Sequence, residues 1–187
     1  MAIERLPQPE AFPEIEITRM RRRHLRRVLS IEGRVYPRPW SASLFLSELA
    51  QRSTRSYIVA RHDGEVVGYA GMMFTGLEAH ITNIAVDPVF HGRKIGSRLL
   101  LSLTTEAIAR GAEVLSLEVR VSNEHAKTMY EKFGFSVVSV RKGYYIETNE
   151  DAYVMVANEV RSTTYRLRLQ GIRDELDRLA WEHRLDG

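Results

Sequence analysis

The order of four segments between residues 81 and 135 constrains the fold of this chain more than any other feature. They are Ile-Thr-Asn-Ile-Ala-Val-Asp-Pro (81–88), His-Gly-Arg-Lys-Ile-Gly (91–96), Leu-Glu-Val-Arg-Val-Ser-Asn (117–123) and Met-Tyr-Glu-Lys-Phe-Gly-Phe (129–135). They predict an apolar strand, a basic turn that opens a helix, a strand with one carboxylate, and a helix that carries a tyrosine. A helix N-terminus offers unpaired N–H groups and the positive end of a dipole, so such a turn suits a phosphate-bearing ligand.

Similar patterns predict the elements on both sides of this stretch. Residues 1–14 hold three prolines and predict a flexible lead-in to a domain at 15–159, and residues 160–187 predict a helical extension. Strands are predicted at 57–61, 66–74, 79–86, 114–121, 135–140 and 153–156, and helices at 20–35, after the cap residue Ser41, at 95–110, from the cap residue Ser122 to 133, and at 162–184. This order predicts an α/β fold, with a mixed, mostly antiparallel sheet of about six or seven strands, helices on both faces and a C-terminal helix.

The composition excludes several classes of function. The chain has 187 residues, of which 44% are hydrophobic and 27% charged, and this predicts one globular domain. It has no cysteine, so disulfides and thiolate chemistry are excluded, and its six histidines lack paired ligand spacing, so no metal is expected. No apolar run is long enough to span a bilayer, and the acidic, proline-containing start does not resemble a signal peptide. We therefore expect a cytoplasmic protein.

Glu118 is the residue whose position most favours acid–base chemistry. Apolar side chains alternate along the strand 115–121, which places Glu118 and Arg120 together on the other face. A strand with helical connections on both sides is usually covered on both faces, and carboxylates are rarely buried without a partner or a task. Two interpretations stay open: a general base, or a structural ion pair with Arg120.

Two residues of the following helix have equally ordinary explanations. Tyr130 shares the spacing of a buried helix face with Ala126, Met129 and Phe133, so periodicity alone predicts a core tyrosine. Asn123 stands at the start of the helix, where an asparagine is commonly a cap.

The basic turn raises a question about backbone geometry. Arg93, Lys94 and Arg98 are predicted in the first helical turn, where cations oppose the helix dipole, so they make better sense facing a polyanion than in an ordinary basic loop. If φ of Lys94 were positive, the lysine would cost about 1–2 kcal/mol of strain. We predict a negative φ and an ammonium group that contacts a phosphate.

The four segments resemble, in order and spacing, the acyl-coenzyme A site of the GNAT superfamily of N-acetyltransferases. The turn departs from the superfamily pattern Gln/Arg-x-x-Gly-x-Gly/Ala at His91 and Lys94 and keeps Gly96. The resemblance implies a GNAT fold, acetyl-coenzyme A as the acetyl donor, Glu118 as the base that takes the amine proton, and Tyr130 as the acid that protonates the thiolate. It also implies the following cofactor-binding residues: Ile84, Ala85, Val86, Gly92, Arg93, Lys94, Ile95, Gly96, Ser97 and Asn123.

Further segments resemble one family within this superfamily. They are Glu32, Tyr36-Pro37-Arg38-Pro39-Trp40-Ser41, Gly143-Tyr144-Tyr145 and the stretch 150–155, and they look like the RimI enzymes, which acetylate the N-terminal alanine of a small-subunit ribosomal protein. The resemblance covers about residues 17–157. It implies that Tyr36, Pro37 and Trp40, together with a loop that holds Tyr144 and Tyr145, flank a peptide groove and bind the substrate's first residues.

Two other functions remain open from the sequence. A GNAT enzyme that acetylates a lysine or a small-molecule amine would have the same cofactor site. A non-catalytic RNA- or ribosome-binding protein would use the arginine cluster but would leave Glu118 and the glycine turn unexplained. The two enzyme hypotheses differ only in which amine receives the acetyl group.

Arg21, Arg22 and Arg23 form the most basic part of the chain, in the first turn of a predicted helix. They are either a solvated basic face or a surface that docks on an acidic partner such as ribosomal RNA. A stripe of apolar residues follows the C-terminal helix, and we expect it to pack on the same chain rather than on a second copy, although the oligomeric state stays open: Tyr165, Leu169, Ile172, Leu176 and Leu179.

Overall fold

The computed structural model describes the backbone of residues 14–185 and the side chains up to Trp181, so the predicted lead-in lies almost wholly outside the described residues. The described strands are β1 (Glu16–Arg19), β2 (Arg55–His62), β3 (Glu65–Thr75), β4 (Glu78–Val86), β5 (Val114–Arg120), β6 (Ser136–Tyr145) and β7 (Glu150–Ala157). The described α-helices are α1 (Leu25–Val35), α2 (Ala42–Ala50), α3 (Ile95–Ala109), α4 (Glu124–Lys132) and α5 (Thr163–Leu185). Short 3-10 turns at Arg22–His24 and Pro88–Phe90 precede α1 and α3.

The seven described strands form one sheet in the order β1-β2-β3-β4-β5-β7-β6. Neighbouring strands are antiparallel, except that β4 and β5 are parallel. This confirms the predicted mixed, mostly antiparallel sheet. The sequence patterns do not predict β1, which is short, or the second half of β6. The prediction of a loop at Tyr144 and Tyr145 is wrong, because β6 continues to Tyr145, which pairs with Glu150 of β7.

Helices cover both faces of the sheet, as predicted. Neighbouring residues of β2 belong to two different apolar clusters, because successive side chains of a strand point to opposite faces. Val59 packs in the cluster that contains α1 and α2, and Ile58 packs in the cluster that contains α3, α4 and α5. The apolar stripe of α5 lies in the second cluster with Tyr165, Leu169, Ile172 and Leu176 buried, so it packs on its own chain.

Side-chain caps fix the starts of two helices. Ser41 accepts a hydrogen bond from the backbone N–H of Leu44, which confirms it as the cap of α2. The predicted cap of α4 is wrong by one residue, because Asn123 accepts from the N–H of Ala126 at 3.1 Å. Ser122 instead donates its own backbone N–H to Glu150 of β7.

The parallel strands β4 and β5 separate halfway along their length. They pair only from Glu78 with Val114 to Ile81 with Leu117. Beyond that point β5 continues to pair with β7, and β4 pairs with β3 across a register shift after Gly71. Gly71 is required there, because a Cβ would lie 2.6 Å from Asn83 Oδ1 and 2.8 Å from Thr82 Oγ1. We call the point of separation the fork and the space beyond it the cleft.

Candidate active site

One wall of the cleft is the second half of β4, where Ile84, Ala85 and Val86 lie. On one edge these residues pair with β3. On the other edge, no strand in the described part of the chain pairs with them, because the ladder to β5 ends at Ile81. Backbone N–H and C=O groups without a ladder partner need another partner. Two of the carbonyls already have one within the chain, because the Ile84 oxygen accepts from the Tyr36 hydroxyl at 3.1 Å and the Val86 oxygen lies 3.0 Å from His91 Nε2. This edge is therefore suited to hold an extended ligand by its backbone.

The far end of the cleft is the turn that leads into α3. Gly92 has φ +79° and Lys94 has φ +56°. The prediction of a negative φ at Lys94 is therefore wrong. Lys94 is the N-cap of α3 and adopts a left-handed conformation as the chain turns into the helix, at a cost of about 1–2 kcal/mol. The first helical bond runs from the Arg98 N–H to the Lys94 carbonyl, so the N–H groups of the three preceding helical residues, Ile95, Gly96 and Ser97, have no acceptor within the helix.

The basic side chains of this turn do not converge on one point. Arg98 donates to the carbonyl of Leu176 on α5 at 2.8 Å, and burial lowers the pKa of its guanidinium. The expectation that Arg98 faces a polyanion is therefore wrong, because the C-terminal helix takes this side chain. The guanidinium of Arg93 lies 5.1 Å from the centre of the Phe90 ring. The Lys94 side chain is exposed. The groups of the turn that lack a partner within the helix are therefore the backbone N–H groups.

Glu118 is the first residue of β5 beyond the fork, and its side chain is only 10% exposed. Its Oε2 lies 2.9 Å from Nε2 of His80 on β4, and its Oε1 lies 2.9 Å from Nη1 of Arg141 on β6. The hydrogen bond with His80 holds the pKa of Glu118 below its usual value, and Arg141 adds to this while burial opposes it. The carboxylate is therefore ionised at neutral pH.

The partners of Glu118 differ from the predicted one. Arg120 bonds instead to Glu150 at 3.1 Å and Thr148 at 2.7 Å, with its guanidinium 3.8 Å from the centre of the Tyr145 ring. The ion pair with Arg120 is thus wrong, because Arg120 turns toward β7 and the end of β6. The sequence patterns do not predict His80 and Arg141 as the partners of Glu118. Alternation along β4 places His80 on a defined face, but only the register with β5 brings it to Glu118.

Tyr130 lies on α4 and is 7% exposed. Its ring packs edge-on against Phe135, with 5.9 Å between ring centres. Burial raises the pKa of its phenol, and the nearby Tyr145 adds to the effect, so the hydroxyl is protonated. Within the described residues, that hydroxyl has no hydrogen-bond partner. Tyr130 is therefore both a packed ring and an available proton donor.

The segment Tyr36–Trp40 is a loop between α1 and α2, as predicted, and it lies against the cleft. The Tyr36 hydroxyl donates to the carbonyl of Ile84 at 3.1 Å. The backbone N–H of Trp40 donates to the buried Glu32 carboxylate at 2.9 Å. The Trp40 indole ring packs on Phe45 with 5.3 Å between ring centres. Trp40 is thus partly a core residue, whereas Pro37 is exposed.

The end of β6 approaches the same loop. Arg38 of the loop forms an ion pair with Glu147, just after β6, at 3.5 Å. Tyr144 is 43% exposed, and its ring meets that of Tyr145 edge-on at 5.1 Å. Burial raises the pKa of the Tyr36 phenol. The electrostatic effects of Tyr130 and Tyr145 raise it further. The Arg38–Glu147 ion pair therefore joins the two predicted substrate segments.

Two kinds of structural feature are absent from the described residues. In the described part of the chain, no group of three or more His, Asp or Glu is placed to hold a metal ion. Across residues 14–185, no helix is both long and apolar enough to cross a membrane.

Known proteins share this fold and these motifs. The model of the Acetyltransferase (GNAT) family matches residues 25–135. The N-alpha-acetyltransferase RimI of Mycobacterium tuberculosis is 41% identical over 121 residues, which cover 63% of this chain and 74% of that protein. The ribosomal protein bS18-alanine N-acetyltransferase of Salmonella typhimurium is 37% identical over 127 residues, which cover 67% of this chain and 84% of that enzyme. The crystal structure of the ribosomal-protein-S18-alanine N-acetyltransferase from Escherichia coli superposes with a TM-score of 0.72 at 32% identity, and the match covers 78% of this chain and 94% of that chain.

A mixed sheet with parting parallel strands, a glycine turn at a helix start and a carboxylate at the fork define an acyltransferase of the acetyl-coenzyme A-dependent class. The chain belongs to the Acetyltransferase (GNAT) family and, within it, to the RimI-type N-acetyltransferases. This leaves the hypothesis of a non-catalytic RNA-binding protein without support.

Proposed function

We propose that this enzyme transfers the acetyl group of acetyl-coenzyme A to the α-amine of a ribosomal protein that begins with alanine, and that it acts in the cytoplasm. The relatives named as ribosomal-protein alanine N-acetyltransferases support this substrate. The observation that carries the proposal is Glu118 at the fork, whose lowered pKa keeps it ionised and which lies near Tyr144 and Tyr145 of one substrate segment. An α-amine has a pKa of about 7.7–8.0, against about 10.4 for lysine, so roughly a fifth to a third of it is already neutral near pH 7.4 and one carboxylate is enough to take the proton that it loses as it attacks.

For the acetyl donor, we infer two binding regions along the cleft. The free edge of Ile84, Ala85 and Val86 would hold the pantetheine arm by its backbone. The turn would hold the phosphates through backbone N–H groups and the positive end of the helix dipole, and it comprises Gly92, Arg93, Lys94, Ile95, Gly96 and Ser97. The Oδ1 atom of Asn123 is already used by the α4 cap, so its side-chain N–H₂ would contact the donor arm.

The reaction we propose is direct attack of the amine on the thioester carbon, without an acyl-enzyme. Glu118 takes a proton from the amine, and Tyr130 gives one to the departing thiolate. The state of each group supports its role, because the pKa of Glu118 is lowered and that of Tyr130 is raised. Proton transfers of this kind contribute about 10²–10⁴-fold to a rate.

The substrate's first residues would lie between the two tyrosine-rich segments. Tyr36, Pro37 and Trp40 would form one side of the groove, and Tyr144 and Tyr145 the other. The ion pair between Arg38 and Glu147 supports this, because it ties the two segments together at one end.

For the macromolecular partner, we propose that Arg21, Arg22 and Arg23 contact ribosomal RNA or another acidic surface. All three are exposed, and they lie in the 3-10 turn region before α1 rather than in its first turn as predicted. A cavity of about 740 Å³ adjoins Arg21 and Arg22, with Arg19, Arg52, Arg55 and the acidic Glu48 also on its wall. Replacing Arg21, Arg22 and Arg23 with serine should weaken ribosome association at low salt without changing kinetics on short peptides. Equal association of both proteins would contradict this surface.

The test of the proposed function is acetyl transfer to a panel of short peptides that vary at positions one and two and carry one internal lysine. Mass spectrometry locates the acetyl group. We expect acetylation of the α-amine, fastest when alanine is first. A matched peptide with a blocked N-terminus is the control and should not react. Acetylation at the lysine of both peptides would show that the enzyme acts on a side-chain amine instead.

A further inference from the structure

The C-terminal helix α5 lies beside α3, the helix that begins at the glycine turn of the cofactor site. We propose that the end of α5 forms a subsite for the adenine ring of coenzyme A, with the indole of Trp181 stacked on the base. The inference rests on the proposed binding of the coenzyme's phosphates by the turn. The match to the family model ends at residue 135, so α5 lies outside it.

Contacts at the two ends of α5 show that it runs antiparallel to α3. Before α5 begins, the N–H of Val160 donates to the carbonyl of Glu113, which lies just after the C-terminal end of α3. Near the other end of α5, the carbonyl of Leu176 accepts from Arg98, in the first turn of α3, at 2.8 Å. The buried side chains of α5 belong to the same apolar cluster as those of α3, so the two helices pack side by side.

The end of α5 extends past the start of α3. From Leu176 to Leu185, α5 continues for nine residues, or about 13 Å at a rise of about 1.5 Å per residue. Only three residues of α3 precede Arg98, and they span about 4–5 Å. Roughly 9 Å of α5 therefore lies beyond the start of α3, alongside the turn that precedes it.

Charged side chains near this end of α5 place it against the turn. Glu175 accepts from Nζ of Lys132 at 2.6 Å. That bond lowers the pKa of Glu175, burial opposes the effect, and Lys94 of the turn lowers the pKa further. Burial lowers the pKa of Arg98, and the carboxylate of Asp177 opposes that shift. Both carboxylates would repel a phosphate, so an uncharged part of the coenzyme fits this end of α5 better.

Trp181 is placed to meet that uncharged part. It follows Asp177 by four residues, so it stands one helical turn further along on the same side of α5, beyond Arg98. Its position falls within the part of α5 that extends past α3, so the ring lies beside the turn rather than beside α3. The side chain is 58% exposed, which leaves the ring open to a ligand.

An indole ring and an adenine ring suit each other, because both are flat and both present apolar faces. Stacking of a base on an aromatic side chain needs no hydrogen-bond partner, and tryptophan fixes few side-chain torsions when it binds. In coenzyme A, a single ribose joins the adenine to the diphosphate. Phosphates held at the turn would therefore bring the adenine to the neighbouring end of α5. Adenine is uncharged at neutral pH, so Glu175 and Asp177 do not repel it.

The test measures how tightly the full-length protein binds three probes: coenzyme A, ADP and S-acetylpantetheine, which lacks the nucleotide. Trp181→Ala should bind coenzyme A and ADP about tenfold more weakly than the wild type, within the range for base–aromatic stacking. It should bind S-acetylpantetheine as the wild type does. Trp181→Phe should recover most of the affinity, because a phenyl ring still stacks on a base.

Leu167→Ala is the matched control. Leu167 is also an exposed apolar side chain of α5, at 68%, but it lies in the part of the helix near the C-terminal end of α3. Its loss should leave the binding of all three probes unchanged. An equal loss of coenzyme A affinity in Leu167→Ala and Trp181→Ala would show that both act through the helix as a whole, and would overturn the subsite.

Fluorescence gives a second readout, because the chain has two tryptophans, Trp40 and Trp181. Coenzyme A should quench the emission of the wild type more than S-acetylpantetheine does, and Trp181→Phe should lose this difference. Unchanged binding of coenzyme A and ADP by Trp181→Ala, with peptides still acetylated at the α-amine, would overturn the subsite alone. Failure of the wild type to bind coenzyme A would overturn the proposed donor site and this inference with it.

Discussion

The two ends of the cleft provide chemistry in different ways. At the fork, charged side chains from three strands meet within hydrogen-bonding distance: Glu118 is held by His80 and Arg141. At the turn, Arg98 is bonded to α5 and Lys94 is exposed, and the groups without a partner in the helix are the backbone N–H groups of Ile95, Gly96 and Ser97. Residue type therefore indicates function at the fork, whereas backbone conformation indicates it at the turn.

This difference has a thermodynamic consequence. A side chain at the fork can be replaced by an isosteric residue that removes one proton or one charge and keeps the packing. The backbone groups of the turn cannot be removed in this way, so only the conformation around them can be changed. Large effects on rate are expected at the fork, and smaller effects on stability and affinity are expected at the turn.

Tyr130→Phe tests the acid at the fork. The ring remains packed against Phe135, so the coenzyme A affinity should not change. Loss of the hydroxyl should lower kcat by about 10²-fold, the low end of the range for acid–base catalysis, because a thiolate leaves without much assistance. Steady-state kinetics and a direct binding titration measure the two quantities. A lower affinity with an unchanged kcat would make Tyr130 a packing residue only.

Glu32→Gln tests a buried charge beside the groove. Burial raises the pKa of Glu32 to about 7, with the Trp40 N–H opposing the shift. A raised carboxyl pKa means that the folded protein binds the proton more tightly than the unfolded chain does. Glu32 therefore stabilises the fold at low pH, and this stabilisation is lost as pH rises from about 4.5 to about 7. The shift corresponds to about 3 kcal/mol.

Glutamine can replace Glu32 with little change, because it can accept from the Trp40 N–H and donate to Tyr69. Urea unfolding of Glu32→Gln should therefore show a smaller fall in stability between pH 5 and pH 7.5 than the wild type, by about 2 kcal/mol. Parallel pH curves for the two proteins would contradict the buried-acid assignment.

Arg98→Met tests whether Arg98 stabilises the fold or contributes to cofactor binding. Methionine keeps much of the volume but removes the charged donor that the Leu176 carbonyl has in addition to its helical partner, which should cost about 1–3 kcal/mol of unfolding free energy. Coenzyme A affinity should stay within about twofold, because the arginine is committed to α5 rather than to a phosphate. A large loss of affinity with unchanged stability would reverse this assignment.

Lys94→Gly has the smallest predicted effect. Glycine adopts a positive φ without strain, so the variant should gain about 1 kcal/mol of stability and bind coenzyme A as well as or better than the wild type. Gly92→Ala is the matched control, because it introduces strain at φ +79° without any clash and should destabilise by a similar amount. Clearly weaker binding by Lys94→Gly would mean that the ammonium group does contact a phosphate.

The sequence predicts local features of this molecule well and long-range ones poorly. The Ser41 cap, the order of the core elements and the alternation that exposes Glu118 to one face all depend on neighbours within a few residues. The partners of Glu118 come from β4 and β6, which lie 38 positions before and 23 positions after it in the chain. Their approach depends on the parallel register and on strand order, which no local pattern encodes.

Two errors have a common physical cause. The sequence predicts a negative φ for Lys94, because the preceding Arg93 marks an anion-binding turn that the ammonium group could join, yet the chain path into α3 places Lys94 in the left-handed region. The pairing of Glu118 with Arg120 follows from their shared face, yet Thr148 and Glu150 offer Arg120 better partners. In both places, tertiary structure decides between options that local chemistry leaves close in energy.

The role of Glu118 is tested most directly by the ratio of wild-type to Glu118→Gln rates as a function of pH. Glutamine keeps the shape of the side chain and removes the base. With an alanine-first peptide, the ratio should be about 10²–10⁴ near pH 7 and should fall as pH rises past the amine pKa, because more of the amine then arrives neutral. Acetyl-coenzyme A binding should be the same for both proteins. Wild-type rates from Glu118→Gln at every pH, with normal cofactor binding, would contradict the assignment.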